Sequence, residues 1–156
     1  MRKTPNFYLA HSFQCMKKIR RWQIMMEGRY NIKFVNPFYS NKYEDADELG
    51  QIKSKAALTR YLDSMPIGTC KGIMERDLEL IRKSDGIVSY FESPTIGTCQ
   101  EIIIASYHYR IPVYIITGKY KNHPWIRALA NISGGKIFRN RTEFKKYAEK
   151  KWGKKL

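Results

Sequence analysis

Short apolar runs alternate with longer amphipathic stretches from one end of the chain to the other. NFYLA, at 6–10, reads as a buried strand. The next stretch, QCMKKIRRWQIMMEG at 14–28, has a helical period: Met16, Ile19, Trp22, Ile24 and Met26 form an apolar face and Gly28 ends it. IKFVNPF, at 32–38, predicts a second strand stopped by Pro37. Residues 39–51 are acidic, polar and without period, as in a loop or flap. SKAALTRYLDSM at 54–65 and GIMERDLELIRKS at 72–84 predict helices, the second with Ile73, Leu78 and Leu80 or Ile81 turned to the core. GIVSYF at 86–91 is the third strand, followed by the turn ESPTIG and a helix opening at Thr98. IPVYIIT at 111–117 is rich in β-branched residues and predicts a fourth strand. A helix over 123–131 with Pro124 in its first turn, a short strand KIF at 136–138 and a basic helix over 141–156 complete the pattern.

Five strands alternating with helices imply βαβ units. The expected fold is α/β: one domain over 1–156, with a doubly wound, parallel, five-stranded sheet and helices on both faces, Rossmann-like or flavodoxin-like. No repeat, linker or low-complexity tract divides the 156 residues, a length that suits one domain. Ligands of such sheets bind outside the carboxyl ends of the strands. That rule selects three loops: HSFQ after the first strand, NPFYSN after the second and ESPTIGT after the third.

Composition narrows the classes. Hydrophobic residues at 43% and aromatics at 13% belong to a globular protein. No apolar run approaches the ~20 residues needed to span a bilayer, and MRKTPNFYLAHSF lacks the apolar core of a secretory leader. Cys15, Cys70 and Cys99 are odd in number and widely spaced, and His11, His108 and His123 stand singly. This argues for a reducing, cytoplasmic setting and against disulfides, a metal cluster or a zinc site. Charge changes the picture more. Twenty-nine Lys and Arg against 14 Asp and Glu give +15, which draws anions: nucleotides, nucleic acids or anionic lipid. Its two clusters are KKIRR at 17–21 and KKYAEKKWGKK at 145–155. The second is either a solvated terminal helix with Tyr147, Ala148 and Trp152 inward, or a contact for nucleic acid or phosphate.

Candidate chemistry gathers at the third loop. Thr98-Cys99-Gln100-Glu101 has the spacing of a capping box, in which Thr98 caps a helix and Glu101 reaches back to the cap amide. Glu101 also lies on the ligand side of the sheet, with an apolar run behind it and a helix N-terminus to favour its ionised form. An ionised, half-desolvated carboxylate is what a sugar-attacking nucleophile requires. Both readings stay open on the residues alone. Asp77 is an ordinary helix carboxylate or a partner to Glu101 at the same sheet edge, and Asp85 turns the chain into the third strand. His11 and Ser12 face a ligand, or Ser12 caps the helix that follows. Asn36-Pro37-Phe38 is a strand-ending turn or a pocket wall. There is no Walker loop, no G-x-G-x-x-G and no H-E-x-x-H.

Taken in order, YLAHSF, NPF, ERDLELIRKSDGIVSYFESPTIGTCQEIIIAS and PVYIIT resemble the nucleoside 2-deoxyribosyltransferase superfamily, over roughly residues 7–131. That superfamily holds base-exchanging transferases and N-glycosidases of nucleoside 5′-monophosphates. The most specific part is D-x-x-x-I-x-x-S-D-G-[IV]-V followed by a turn and G-T-x-x-E, here ending on Gly97, Thr98 and Glu101. The resemblance implies that Glu101 attacks C1′ and forms a covalent glycosyl-enzyme, and that Asp77 assists proton transfer to the departing base. His11, Ser12 and Phe13 would line the sugar and its 5′ side, with Asn36, Phe38, Thr95, Gly97 and Thr98 in the same pocket. A homodimer or larger homo-oligomer is implied, with Asn122 or His123 of one subunit completing its neighbour's site. Neither metal nor cofactor is implied.

The chain departs from the superfamily's pattern in two loops. His11 stands where a glycine usually follows the first strand, and FQCMKKIR replaces the glycines of a phosphate cradle, so any phosphate would rely on Lys17, Lys18 or Arg20. Thr95 replaces an acid common in the transferases, as in the hydrolase branch. Hydrolysis and base exchange share one intermediate, and the sequence leaves them open with the base, the sugar and the need for a 5′-phosphate. The alternative is a non-catalytic nucleotide- or nucleic-acid-binding module that uses the basic clusters.

Overall fold

The computed structural model describes residues 3–39, 52 and 54–156. The acidic segment at 43–49 lies outside the described residues. Five strands form one parallel sheet: β1 (Asn6–Ala10), β2 (Lys33–Val35), β3 (Ile87–Tyr90), β4 (Val113–Ile116) and β5 (Lys136–Phe138), in the order β2-β1-β3-β4-β5. Among the described residues six α-helices accompany them: α1 (Met16–Arg29), α2 (Lys55–Asp63), α3 (Ile67–Arg82), α4 (Ile96–Ile103), α5 (Pro124–Ile132) and α6 (Arg141–Trp152). The expected doubly wound α/β domain is the one observed.

Strand alternation builds two cores from one sheet. Side chains on successive strand residues point to opposite faces, so Phe7, Leu9, Val88, Tyr90, Tyr114 and Ile116 share one face. Ile19, Trp22 and Met26 of α1 and Phe144 and Ala148 of α6 cover it. Tyr8, Ala10, Ile87, Val113 and Ile115 point the other way, beneath Ile81 of α3, Ile102 of α4 and Ile126, Leu129 and Ala130 of α5. Two glycines permit close approaches that a β-carbon would block. Such an atom on Gly135 would lie 1.9 Å from the Val113 carbonyl oxygen, and on Gly86 2.6 Å from that of Pro112.

Several sequence expectations need correction. Ile24 is 57% exposed while Gln23 is buried. Gln23 accepts hydrogen bonds from Arg20 and Asn36 and donates to Glu27, so polar pairing holds it inside. The strand at 111–117 pairs only over Val113–Ile116. The helix expected at 72–84 starts earlier, at Ile67 after Pro66, which places Asp77 in its third turn. Asp85 also ties the start of β1, accepting from the Asn6 amide at 2.8 Å and pairing with Lys3. Beyond Ile103, α4 widens into a π turn over Ile104–His108 that the sequence pattern did not disclose.

Candidate active site

Strand order reverses between β1 and β3, and there the crevice at the carboxyl ends opens. A cavity of about 320 Å³ occupies it. Its size is at the lower end of the range for small-molecule sites, roughly 300–1,000 Å³. His11 and Phe13 enter from the loop after β1, and Pro37 and Phe38 from the turn after β2. Leu58 and Leu62 of α2 and Ile73 of α3 add apolar wall. The polar side is made by Arg76 and Asp77 of α3 and by Thr95, Gly97, Thr98 and Glu101 around the start of α4. Eight of the twelve site residues expected from sequence thus line one cavity.

The start of α4 differs from the expected capping box. Thr95, not Thr98, is the N-cap: its hydroxyl lies 3.5 Å from the Thr98 amide and 3.3 Å from the Thr98 hydroxyl. Thr98 is therefore inside the first turn and buried. Glu101 falls in the second turn, where it makes no cap. Its carboxylate instead accepts a hydrogen bond from the Tyr8 hydroxyl at 2.7 Å. Tyr8 reaches it because β1 turns that side chain toward α3 and α4, and it is fully buried.

Electrostatics correct a second expectation. The helix N-terminus does not hold Glu101 ionised. Burial raises its pKa from the ordinary 4.5 to about 8; the hydrogen bond from Tyr8 opposes that rise, the charge of Asp77 adds to it, and Arg76 lowers it. Asp77 is also raised by burial, against the pull of Arg76, whose Nε donates to Asp77 Oδ1 at 2.9 Å. Two carboxyl groups in one desolvated cavity resist ionising together. They are best treated as a pair that keeps one proton at neutral pH. The Arg76 ion pair favours the anion on Asp77 and the proton on Glu101, while the hydrogen bond from Tyr8 stabilises the opposite tautomer, with the anion on Glu101.

The aromatic wall is fixed from behind. The His11 ring packs on Phe38 with centroids 5.0 Å apart. Its nitrogens lie 3.0 Å from the Ser12 carbonyl oxygen and 3.3 Å from Asn36 Oδ1. Burial lowers the pKa of His11, against the pull of its contacts with Ser12 and Asn36. Asn36 accepts from the Phe38 amide and donates to Gln23, so it positions the wall from outside the cavity. Ser12 is buried behind the same wall. It makes no side-chain cap, because its hydroxyl has no hydrogen-bond partner among the described residues.

Asn122 and His123 do not reach this cavity within one chain. His123 caps α5, its Nδ1 accepting from the Trp125 amide at 3.3 Å. It borders a separate apolar recess with Cys99, Tyr120 and Trp125. Sequence reasoning missed Tyr8 and Arg76. A tyrosine inside an apolar strand was the available sign for the first; nothing set Arg76 apart from other helix cations. Among the described residues no three His, Cys, Asp or Glu side chains gather as metal ligands do, and no helix is long and apolar enough to cross a membrane.

No family model matches the sequence, and no curated protein matches it. Among solved structures, the chain is similar to the CMP N-glycosidase BcmB of Clostridium botulinum. The two are 15% identical, with a TM-score of 0.52, over 91% of this chain and 96% of that one. At that identity the likeness is one of fold. The neighbour is a member of the nucleoside 2-deoxyribosyltransferase superfamily, so the fold implied by the sequence resemblance is the fold found.

Proposed function

We propose that the chain is an enzyme that cleaves the N-glycosidic bond of (2′-deoxy)nucleosides or their 5′-monophosphates through Glu101. One observation carries this reading: Glu101, oriented by Tyr8, shares a desolvated cavity at the sheet's switch point with the Asp77–Arg76 pair. A solvated surface carboxylate would have neither the buried tyrosine donor nor the raised pKa.

The chemistry follows from the charge that develops. Breaking the bond leaves positive charge at C1′ and negative charge on the base. The shared proton first moves from Glu101 to Asp77, and the Glu101 carboxylate so formed, held by Tyr8, attacks C1′ and forms an ester as the bonding pair leaves with the base. The proton retained by the carboxyl pair passes from Asp77 to that base, so charge balances across the step. Water at C1′ then releases the sugar and restores the acid, giving hydrolysis; a second base at the same carbon gives exchange. Phe13, Phe38 and the apolar wall exclude water and offer faces to a base, while Arg76 steadies Asp77. The CMP N-glycosidase activity named for the structural neighbour supports this class of reaction.

The neighbouring apolar surface of α4 and α5 supports a homo-oligomer. Ile96 and Trp125 are 83% and 65% exposed there, beside the His123 recess. Pairing through it would bring Asn122 or His123 of one subunit toward its neighbour's site.

The test is incubation with a panel of nucleosides and 5′-monophosphates, with and without a second free base, followed by chromatography. Free base, or a new nucleoside, is expected with the unaltered chain and not with Glu101→Gln. Equal product from a folded Glu101→Gln variant would remove the reading.

A further inference from the structure

The two helical layers differ in charge. On the outer layer of one face, α1 and α6 carry ten cations and three acids between them. On the other face, α3, α4 and α5 carry four of each. Much of the +15 charge is thus collected on the face that does not form the catalytic cavity.

That face is one continuous surface. Trp22 of α1 and Phe144 of α6 pack with centroids 5.6 Å apart, and the Lys155 amide donates to the Arg29 carbonyl at 3.0 Å. At the seam, Lys18 and Arg141 converge on one ring: Lys18 donates to the Tyr90 hydroxyl at 2.9 Å, and Arg141 lies 5.8 Å from the ring centre. The three acids are engaged elsewhere. Glu143 pairs with Arg139, Glu149 with Lys154, and Glu27 accepts from the Phe34 amide. Among the described residues, Lys17, Lys18, Arg21, Arg141, Lys146 and Lys150 form no ion pair. Lys17–Arg21 and Lys146–Lys150 are i,i+4 like-charge pairs, a spacing that destabilises an isolated helix. A bound polyanion would relieve that repulsion.

We infer that the α1/α6 face binds the phosphate backbone of duplex nucleic acid, independently of base sequence. The choice of partner follows from what the face lacks. A helix that lies on a membrane presents an apolar side outward; here Phe144 and Ala148 are buried in the core, and Ile24 is the sole large apolar residue of α1 or α6 that is strongly exposed. Single-strand binders stack bases on exposed aromatic rings, yet among the described residues the strongly exposed aromatics, Tyr107 and Trp125, lie outside α1 and α6. Point cations on a broad surface suit phosphates alone.

The experiment is fluorescence anisotropy of the full chain with a labelled mixed-sequence DNA duplex across a salt series. Binding is expected to fall linearly in log K against log salt, without preference among sequences. Lys146→Ala with Lys150→Ala should lower the slope by about 2, since each phosphate contact contributes about 0.9. Lys18→Glu with Arg21→Glu should weaken binding at least tenfold. Lys71→Glu with Arg127→Glu, on the other face, should change it little. Absence of binding, salt-insensitive binding, equal loss from the other-face variant, or preference for single strands or phosphatidylserine vesicles over the duplex would each overturn the inference. Base release from free nucleosides is read separately, so failure here leaves the catalytic reading untouched, and the reverse.

Discussion

The two faces of the sheet solve opposite problems. Beneath α1 and α6, Trp22, Phe34, Tyr114, Phe138, Phe144 and Trp152 interlock, and charge is kept to the outer surface. Beneath α3 and α4, two carboxyl groups and a tyrosine hydroxyl share a desolvated cavity, and their ordinary ionisation is suppressed. One face contributes stability, whereas the other holds groups whose burial opposes folding. Such a division is expected where a site must keep reactive groups out of water.

The sharpest way to break that contrast is at Glu101. Glu101→Gln should reduce base release at least 10³-fold, by removing the proposed nucleophile, while the protein becomes more stable. The sign follows from linkage. A carboxyl with a pKa near 4.5 when unfolded and about 8 when folded binds its proton more tightly in the folded state. Its contribution is therefore fully present below pH 4.5 and is lost as pH rises to 8. Removing it should raise stability at pH 7–8 by roughly 1–3 kcal/mol, read as a higher Tm and a flatter dependence on pH. A variant that loses both activity and stability would place Glu101 among structural residues.

On the opposite face the reverse is expected. Phe144→Ala should destabilise by about 3–5 kcal/mol in chemical denaturation, since it empties a fully buried aromatic site. Under conditions where that variant stays folded, its kcat should change less than threefold. Tyr8→Phe lies between the two cases. Without its hydrogen bond the pKa of Glu101 rises further, so base release should fall roughly 10–100-fold. In the unaltered chain kcat/KM should decline tenfold per unit above about pH 8, where the carboxyl pair loses its last proton. Tyr8→Phe should move that decline to higher pH. The smallest effect is expected at Ile24→Lys, within about 0.5 kcal/mol, because that side chain is exposed on α1.

The contrast also explains what was legible in the sequence. Each strand was visible because apolar runs and β-branched residues announce a sheet buried on both faces. Glu101, Asp77, His11 and Phe38 were visible because they lie on strand-end loops or carry spacing shared with a known family. Helix starts were less legible: Thr95 and Thr98 both offer a cap hydroxyl, and the folded turn rather than the pattern decides between them. Gln23 and Ile24 exchange places for a similar reason, since the partners that bury Gln23 lie 13 and 4 residues away, at Asn36 and Glu27. Tyr8 was hidden by its own setting. In sequence it is one apolar residue of a five-residue strand, and only the packing of α4 over β1 gives its hydroxyl a carboxylate to hold.

The most direct measurement is intact-mass spectrometry of the protein, quenched in acid during turnover of whichever nucleoside or 5′-monophosphate releases its base, then digested to locate any adduct. The account predicts a mass increase equal to the sugar or sugar phosphate, confined to the peptide carrying Glu101 and absent from Glu101→Gln. Base release with the adduct on another residue, or steady turnover by Glu101→Gln, would contradict it.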